Sequence, residues 1–419
     1  MGHLVGKDLY RRLGKKIDGL TARAPWNNTL YALLKELYTP DEAGLIVRMP
    51  YGLSTLKQIQ ALIPSEADSI ERRLGNLCDK GLVLDIWAGD QYYYSISPLI
   101  IGIFEFTMMR TRGELNTKEW ARLFHEYLQD SSTYYKANWS KDKKISPLRT
   151  LPHEETIDET MHVEILDYEK ASTIIEQAER MAIGICSCRH EKLHVGEKQC
   201  HIPLETCSSF NGAADTLIRH GMAREVSLSE MKENLARSKE EGLVLCADNV
   251  RRDVSFICHC CACCCNVLLG VSRFGYLNVV VTSNYIAQIN PDECLECGTC
   301  IEDCPVKAIT KGRENGLPIV NESLCLGCGV CALNCSSESL KLVPRSQRVF
   351  CPEDTFQRVI LQSLEQGTLQ NLIFANPNSA AHGFLRVLVG GFLKLPPVKR
   401  ALMGDRLRSR FLASLRKSK

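Results

Sequence analysis

Twenty of the twenty-one cysteines in this 419-residue chain follow residue 185, and they cluster at short spacings. From Cys294 the chain reads C-LE-C-GT-C-IED-C-P, placing thiols at Cys294, Cys297, Cys300 and Cys304 ahead of Pro305. From Cys325 it reads C-LG-C-GV-C-ALN-C, with thiols at Cys325, Cys328, Cys331 and Cys335. Three cysteines at two-residue spacing wrap one loop around three corners of an iron–sulfur cube, and the fourth turns away to serve a second cube. Gly298 and Gly329 let the backbone turn tightly and bring N–H groups towards the sulfurs. Paired CxxC elements also bind zinc, but zinc sites rarely use this three-plus-one spacing twice in tandem.

The pattern resembles two-cluster bacterial ferredoxins over residues 284–344. The resemblance implies one [4Fe–4S] cluster on Cys294, Cys297, Cys300 and Cys335, and a second on Cys325, Cys328, Cys331 and Cys304. Tyr285-Ile-Ala-Gln-Ile and Ser339-Leu-Lys-Leu-Val are expected as flanking strands. One departure stands out: Ser336 follows Cys335 where the family usually has proline, which bears on the local turn and the cluster potential.

Upstream lie Cys186, Cys188, Cys200, Cys207, Cys258, Cys260, Cys261, Cys263, Cys264 and Cys265. Thiolates this close repel one another, and soft cations are the remedy. Three readings stand: one or two additional iron–sulfur clusters, zinc, or a redox-active thiol site. Adjacent Cys260 and Cys261 fit poorly on one cube, so two centres or one unusual geometry is expected. Arg189, His190, His201 and His259 either tune such a centre or serve as ordinary hydrogen-bonding residues. Cys78, Cys246 and Cys351 stand alone and read as buried small hydrophobes. The CxCR and CxCCxCCC elements resemble those preceding the dicluster ferredoxin in proteins of anaerobic bacteria and archaea, which implies extra redox cofactors.

The elements that must position these thiols point to an α+β multidomain chain. Asp167 is expected to cap a helix reaching about Arg180, Ser227 to cap another that Gly242 ends, and Leu243-Val-Leu and Val254-Ser-Phe-Ile to form buried strands. The last thiols then sit at a strand-to-helix turn before Asn266. Residues 1–115 read as a winged-helix-like domain: helices around Leu30–Leu37, Ser54–Ile63 and Ser65–Leu77, then two strands about Ala88-Gly-Asp. The helix from Glu66 to Lys80 is close to neutral, so protein docking is favoured over DNA, with residues 54–95 the place where DNA would bind. Residues 116–160 are expected as a linker, 161–280 as a Cys-rich redox domain, 281–345 as the ferredoxin domain and 346–419 as a helical basic tail. In that tail ten Lys/Arg face one acid after His382, interleaved with apolar residues, suiting either an anionic membrane, an acidic partner or packing on the protein itself.

Composition excludes little: 45% hydrophobic, 24% charged, net charge +2. No apolar run is long enough to cross a bilayer and residues 1–20 lack a signal-peptide core, so a reducing cytoplasm in an oxygen-poor host is expected, with any membrane contact peripheral. No GxGxxG fingerprint supports flavin or nicotinamide. The sequence therefore predicts an electron-transfer subunit or partner of an oxidoreductase system rather than a stand-alone enzyme, with a redox-sensing DNA-binding regulator as the alternative.

Overall fold

The computed structural model describes residues 2–113, 115–129, 133–139, 143–158, 165–276, 279–313, 316–404, 408–409, 411–413 and 415, with backbone alone for 2–7. The chain forms two compact units, residues 1–138 with 355–419, and residues 139–354.

The first unit begins with α1 (Gly2–Asp18), α2 (Asn28–Leu37) and α3 (Pro40–Arg48). The Asn27 side chain caps α2, which buries Leu30, Leu33, Leu34 and Leu37 on one stripe. A capping box of Thr39 and Glu42, with Pro40 in the first turn, starts α3. Then follow β1 (Ser54–Thr55), α4 (Leu56–Leu62), α5 (Ala67–Asp79), β2 (Val83–Ala88) and β3 (Gln91–Ile96), the strands lying antiparallel in the order β1-β3-β2. Helices α6 (Phe104–Met109), α7 (Thr117–Gln129) and α8 (Thr133–Asn138) complete this part.

The expected linker thus differs from what forms. Helix α7 buries Trp120, Leu123, Phe124, Tyr127 and Leu128, and the Tyr127 hydroxyl donates to the Pro25 carbonyl at 2.9 Å. Its apolar residues recur at helical spacing among charges, so average composition concealed a packed face.

In the second unit β4 (Leu148–Leu151), also from the expected linker, joins a seven-stranded sheet. Helix α9 (Ala171–Glu176) follows a short 3-10 turn at Asp167–Glu169, so the expected single helix is broken before it begins. Next come β5 (Met181–Ile185), α10 (Ser187–His194), β6 (Glu205–Phe210), α11 (Asn211–Arg219), β7 (Ala223–Glu225) and α12 (Leu228–Glu240). β8 (Val244–Asp248), β9 (Phe256–Cys260), α13 (Asn266–Ser272) and β10 (Val280–Val281) end this region. The sheet order is β10-β4-β8-β9-β6-β5-β7, antiparallel throughout except for the β10–β4 pair.

One sheet face packs Leu151, Ile183, Phe210, Leu245, Ala247 and Ile257 against Ile174 and Ile175 of α9 and Met231 and Leu235 of α12. Side chains alternate faces along a strand, so the residues between these core positions point the other way.

The cysteine repeats lie on β11 (Tyr285–Ile289), α14 (Thr299–Asp303), β12 (Ile309–Lys311), β13 (Pro318–Val320), α15 (Val330–Leu333) and β14 (Leu340–Pro344). β11 pairs antiparallel with β14 from Tyr285↔Pro344 to Ile289↔Leu340, and β12 with β13. The chain then returns to the first unit through α16 (Thr355–Gln366), α17 (Leu369–Ile373), α18 (Ala380–Leu393) and α19 (Pro396–Met403), which close over Ile360, Leu364, Leu369, Leu393 and Leu412. Half of the expected tail is therefore packed helix. The basic residues Arg406, Arg410, Arg416, Lys417 and Lys419 lie outside the described residues.

Candidate metal centres

Two cavities lie in the repeat region. Cys304, Cys325, Cys328 and Cys331 line one with Ala287, Val306, Ile309 and Leu342. Cys294, Cys297, Cys300 and Cys335 line the other with Ile289, Thr299 and Leu340. In each set three thiols come from one motif and the fourth from the other, because the β11–β14 pairing lays the end of the second motif beside the start of the first.

The two motifs share backbone geometry as well as spacing. Glu296 and Gly327, each before the second cysteine of its motif, are left-handed at φ 53° and 64°, and Lys307 and Glu338, each three residues after the fourth, at 57° and 53°. Glu296 tolerates this at the surface, whereas a Cβ on Gly327 would overlap the Tyr285 carbonyl oxygen and Ser283 Oγ.

The surroundings differ. Burial pushes the Cys328 thiol up to about 12 and Cys331 well above its ordinary value. At the other cavity the Thr299 hydroxyl and amide hold the exposed Cys297 thiol below its ordinary value. Burial opposes the same effect at Cys335, yet hydrogen bonding with Ser339 and Ser337, at Sγ···Oγ distances of 3.5 and 3.6 Å, lowers it. The Ser337 hydroxyl in turn donates to Ser339 Oγ at 2.9 Å. Where proline is usual, this chain follows Ser336 with a serine pair that reaches the cysteine.

The middle thiols fall into two groups. Cys246 on β8 faces Cys258 on β9 in register, and Cys207 on β6 shares that face, opposite the α9–α12 core. Hydrogen-bond contacts run from Cys186 to Cys207, Cys258 and Cys260, then to Cys246 and to Cys265, which meets Cys188 on α10. Cys246, expected to be a lone hydrophobe, belongs to this chain of sulfurs. Two apolar neighbours, Leu245 and Ala247, mark its alternation, but its partner strand is set by tertiary register. Cys78 and Cys351 are buried, as expected.

Cys200, Cys261, Cys263 and Cys264 form the second group, all four sulfurs within 4.8 Å of one another. The adjacent pairs divide: Cys260 and Cys265 join the first group, Cys261 and Cys264 the second. Arg189, fully buried, donates from Nε to Cys261 Sγ at 3.4 Å and from its other nitrogens to the Pro203 and His259 carbonyls and Thr206 Oγ1. Hydrogen bonding from Cys264, against the cost of burial and aided by Arg189, holds the Cys261 thiol below its ordinary value.

A buried trio fixes the helices that carry these thiols. Lys192 Nζ pairs with Glu191 at 2.6 Å and donates to Asn266 Oδ1 at 3.2 Å, and Asn266 Nδ2 donates to Glu191 at 2.7 Å, joining α10 to α13. His259 faces the core, bonded to Ser208 and Ser238 at 2.8 and 2.7 Å, and His201 pairs with Glu241 at the surface. His190 contacts His194, with Nε2 atoms 3.0 Å apart.

Residues 286–341 match the family described as 4Fe-4S dicluster domain. Iron–sulfur clusters are thus the cofactor class of this segment. A ferredoxin of Rickettsia felis is 56% identical over 25 residues, a match covering 6% of this chain and 23% of that protein's length. No solved structure matches the chain.

Proposed function

We propose that the protein is an electron-transfer component that works with a larger redox partner, holding two [4Fe–4S] clusters and a further thiolate-bound centre in the middle region. The observation that carries this reading is the gathering of Cys294, Cys297, Cys300 and Cys335 around one cavity and Cys304, Cys325, Cys328 and Cys331 around the other. Clusters bound there supply reversible one-electron transfer. This chain's residues set the terms: hydroxyl donors and exposure at the first set, burial at the second. The seven-thiol chain supports one further iron–sulfur centre, and Cys328 is near enough to Cys246 to act on its charge.

The first unit we read as a winged-helix-like docking module. The order α3-β1-α4-α5-β2-β3 with antiparallel β1-β3-β2 supports it. The exposed face of α5 offers Asp68, Glu71 and Asp79 against Arg72, while Arg73 is buried against Glu66 and Asp41. That face repels phosphate, which speaks against the DNA-binding alternative. Exposed Trp87 and Tyr92, packed edge to face with centroids 4.8 Å apart, suit a protein partner instead.

Among the described residues no helix is long and apolar enough to cross a membrane. Helix α18 nevertheless exposes Phe384, Val387, Leu388 and Phe392 along one side, with Leu395 beyond, and Lys394 and Arg400 are exposed nearby. Apolar residues at helical spacing beside cations suit an anionic lipid surface.

Iron and acid-labile sulfide on anaerobically purified protein, with EPR of the reduced form, test the reading. About eight irons are expected from the two cavities alone. Zinc in their place, with no [4Fe–4S] signal on reduction, would sink it.

A further inference from the structure

The four thiols of each ferredoxin set surround a cavity. Cys200, Cys261, Cys263 and Cys264 are instead the one set among the described residues whose ligand atoms all lie within 4.8 Å of one another. Cys200 Sγ is 3.7 Å from Cys261 Sγ and 4.0 Å from Cys264 Sγ, and Cys263 and Cys264 are 3.4 Å apart. Four sulfurs at about 2.3 Å from a central zinc form a tetrahedron with edges of roughly 3.8 Å. Those three separations lie close to that edge. A cube at its centre would drive the thiols apart, against Ile202 and Leu243, which pack on them.

We propose that Cys200, Cys261, Cys263 and Cys264 hold a single tetrahedral zinc ion, separate from every iron–sulfur centre in the chain. Closed tetrathiolate sites of this kind are structural. Here the ion would pin the loop after α10, which carries Cys200, to the turn between β9 and α13. The same turn sends Cys260 and Cys265 into the seven-thiol chain, so the ion sets the geometry of the neighbouring site without joining it. Four thiolates on a divalent cation leave two net negative charges, and the buried Arg189 guanidinium on Cys261 offsets one of them. The electron-transfer reading rests on the ferredoxin cavities, so each proposal can fail without the other.

Full-length protein purified anaerobically from medium containing both metals should carry one zinc per chain. Zinc K-edge absorption should show four sulfurs at about 2.3 Å and no iron neighbour. Cys200→Ser should lose that zinc and keep the iron, sulfide and reduced EPR signals of the two ferredoxin cavities. Wild-type protein grown with cobalt should show the visible bands of a tetrahedral cobalt thiolate, a readout that does not depend on the variant folding. Loss of about four irons and four sulfides in Cys200→Ser, or one iron in place of zinc in the wild type, would overturn the proposal.

Discussion

His153 donates its backbone N–H to the carbonyl of Cys328 at 3.0 Å, while its Nε2 meets the Leu243 carbonyl at 2.9 Å. A single fully buried residue therefore ties the loop around the second ferredoxin cavity to the approach of β8, the strand bearing Cys246. His153→Ala would leave the Leu243 carbonyl without this partner and open a cavity, at a cost of about 2–4 kcal/mol. Chelator challenge of the anaerobic protein checks this, with iron release from the Cys325 set expected to quicken first. Wild-type release kinetics would show that the bridge is dispensable.

Gly327→Ala should damage one cluster alone. The added methyl meets the Tyr285 carbonyl in a left-handed backbone that alanine also disfavours. About half of the ferredoxin iron should be lost, with the signal of the Cys294 set retained. Replacing Glu296, at the equivalent position of the first motif, by glycine should be tolerated, and equal damage from both changes would refute the asymmetry.

The serine pair after Cys335 should raise the potential of the Cys294-set cluster, because hydrogen bonds to sulfur favour the more negative, reduced state. Ser337→Ala with Ser339→Ala should move that potential to a more negative value and leave the Cys325 set in place. An EPR-monitored redox titration reads both.

Burial, with Arg386 adding repulsion, depresses the Lys16 ammonium in the first unit to about 7, although Nζ sits 3.6 Å from the Tyr51 ring centroid. A lysine lowered on folding binds fewer protons in the native state. Its contribution to stability therefore grows as pH rises from about 7 towards 10.5 and is lost as pH falls through 7. Lys16→Met should flatten that slope and stabilise the unit at pH 7, by at most about 5 kcal/mol. Denaturant midpoints at several pH values measure it, and an unchanged slope would assign the pH dependence elsewhere.

Sedimentation with vesicles tests the α18 stripe. Vesicles rich in phosphatidylserine should bind the protein at low salt and neutral vesicles should not. Phe384→Ser with Phe392→Ser should abolish binding while leaving iron content unchanged. Retained binding in that variant would remove the stripe from the explanation.

Ligand chemistry in the repeat region was legible along the chain, because C-x2-C-x2-C-x3-C places three thiols in one loop wherever it folds. The division of neighbours was not. Cys260 and Cys261, or Cys264 and Cys265, are adjacent in sequence yet serve different groups, since strand alternation and the following turn send consecutive side chains opposite ways. Cys246 likewise looked solitary until the β8–β9 register set it across from Cys258. The packed face of α7 and the strand at Leu148–Leu151 were hidden in a polar stretch for the same reason. Residue type and local spacing determine which atoms can bind metal. Which of them share one metal depends on long-range pairing, and only the folded sheet supplies that.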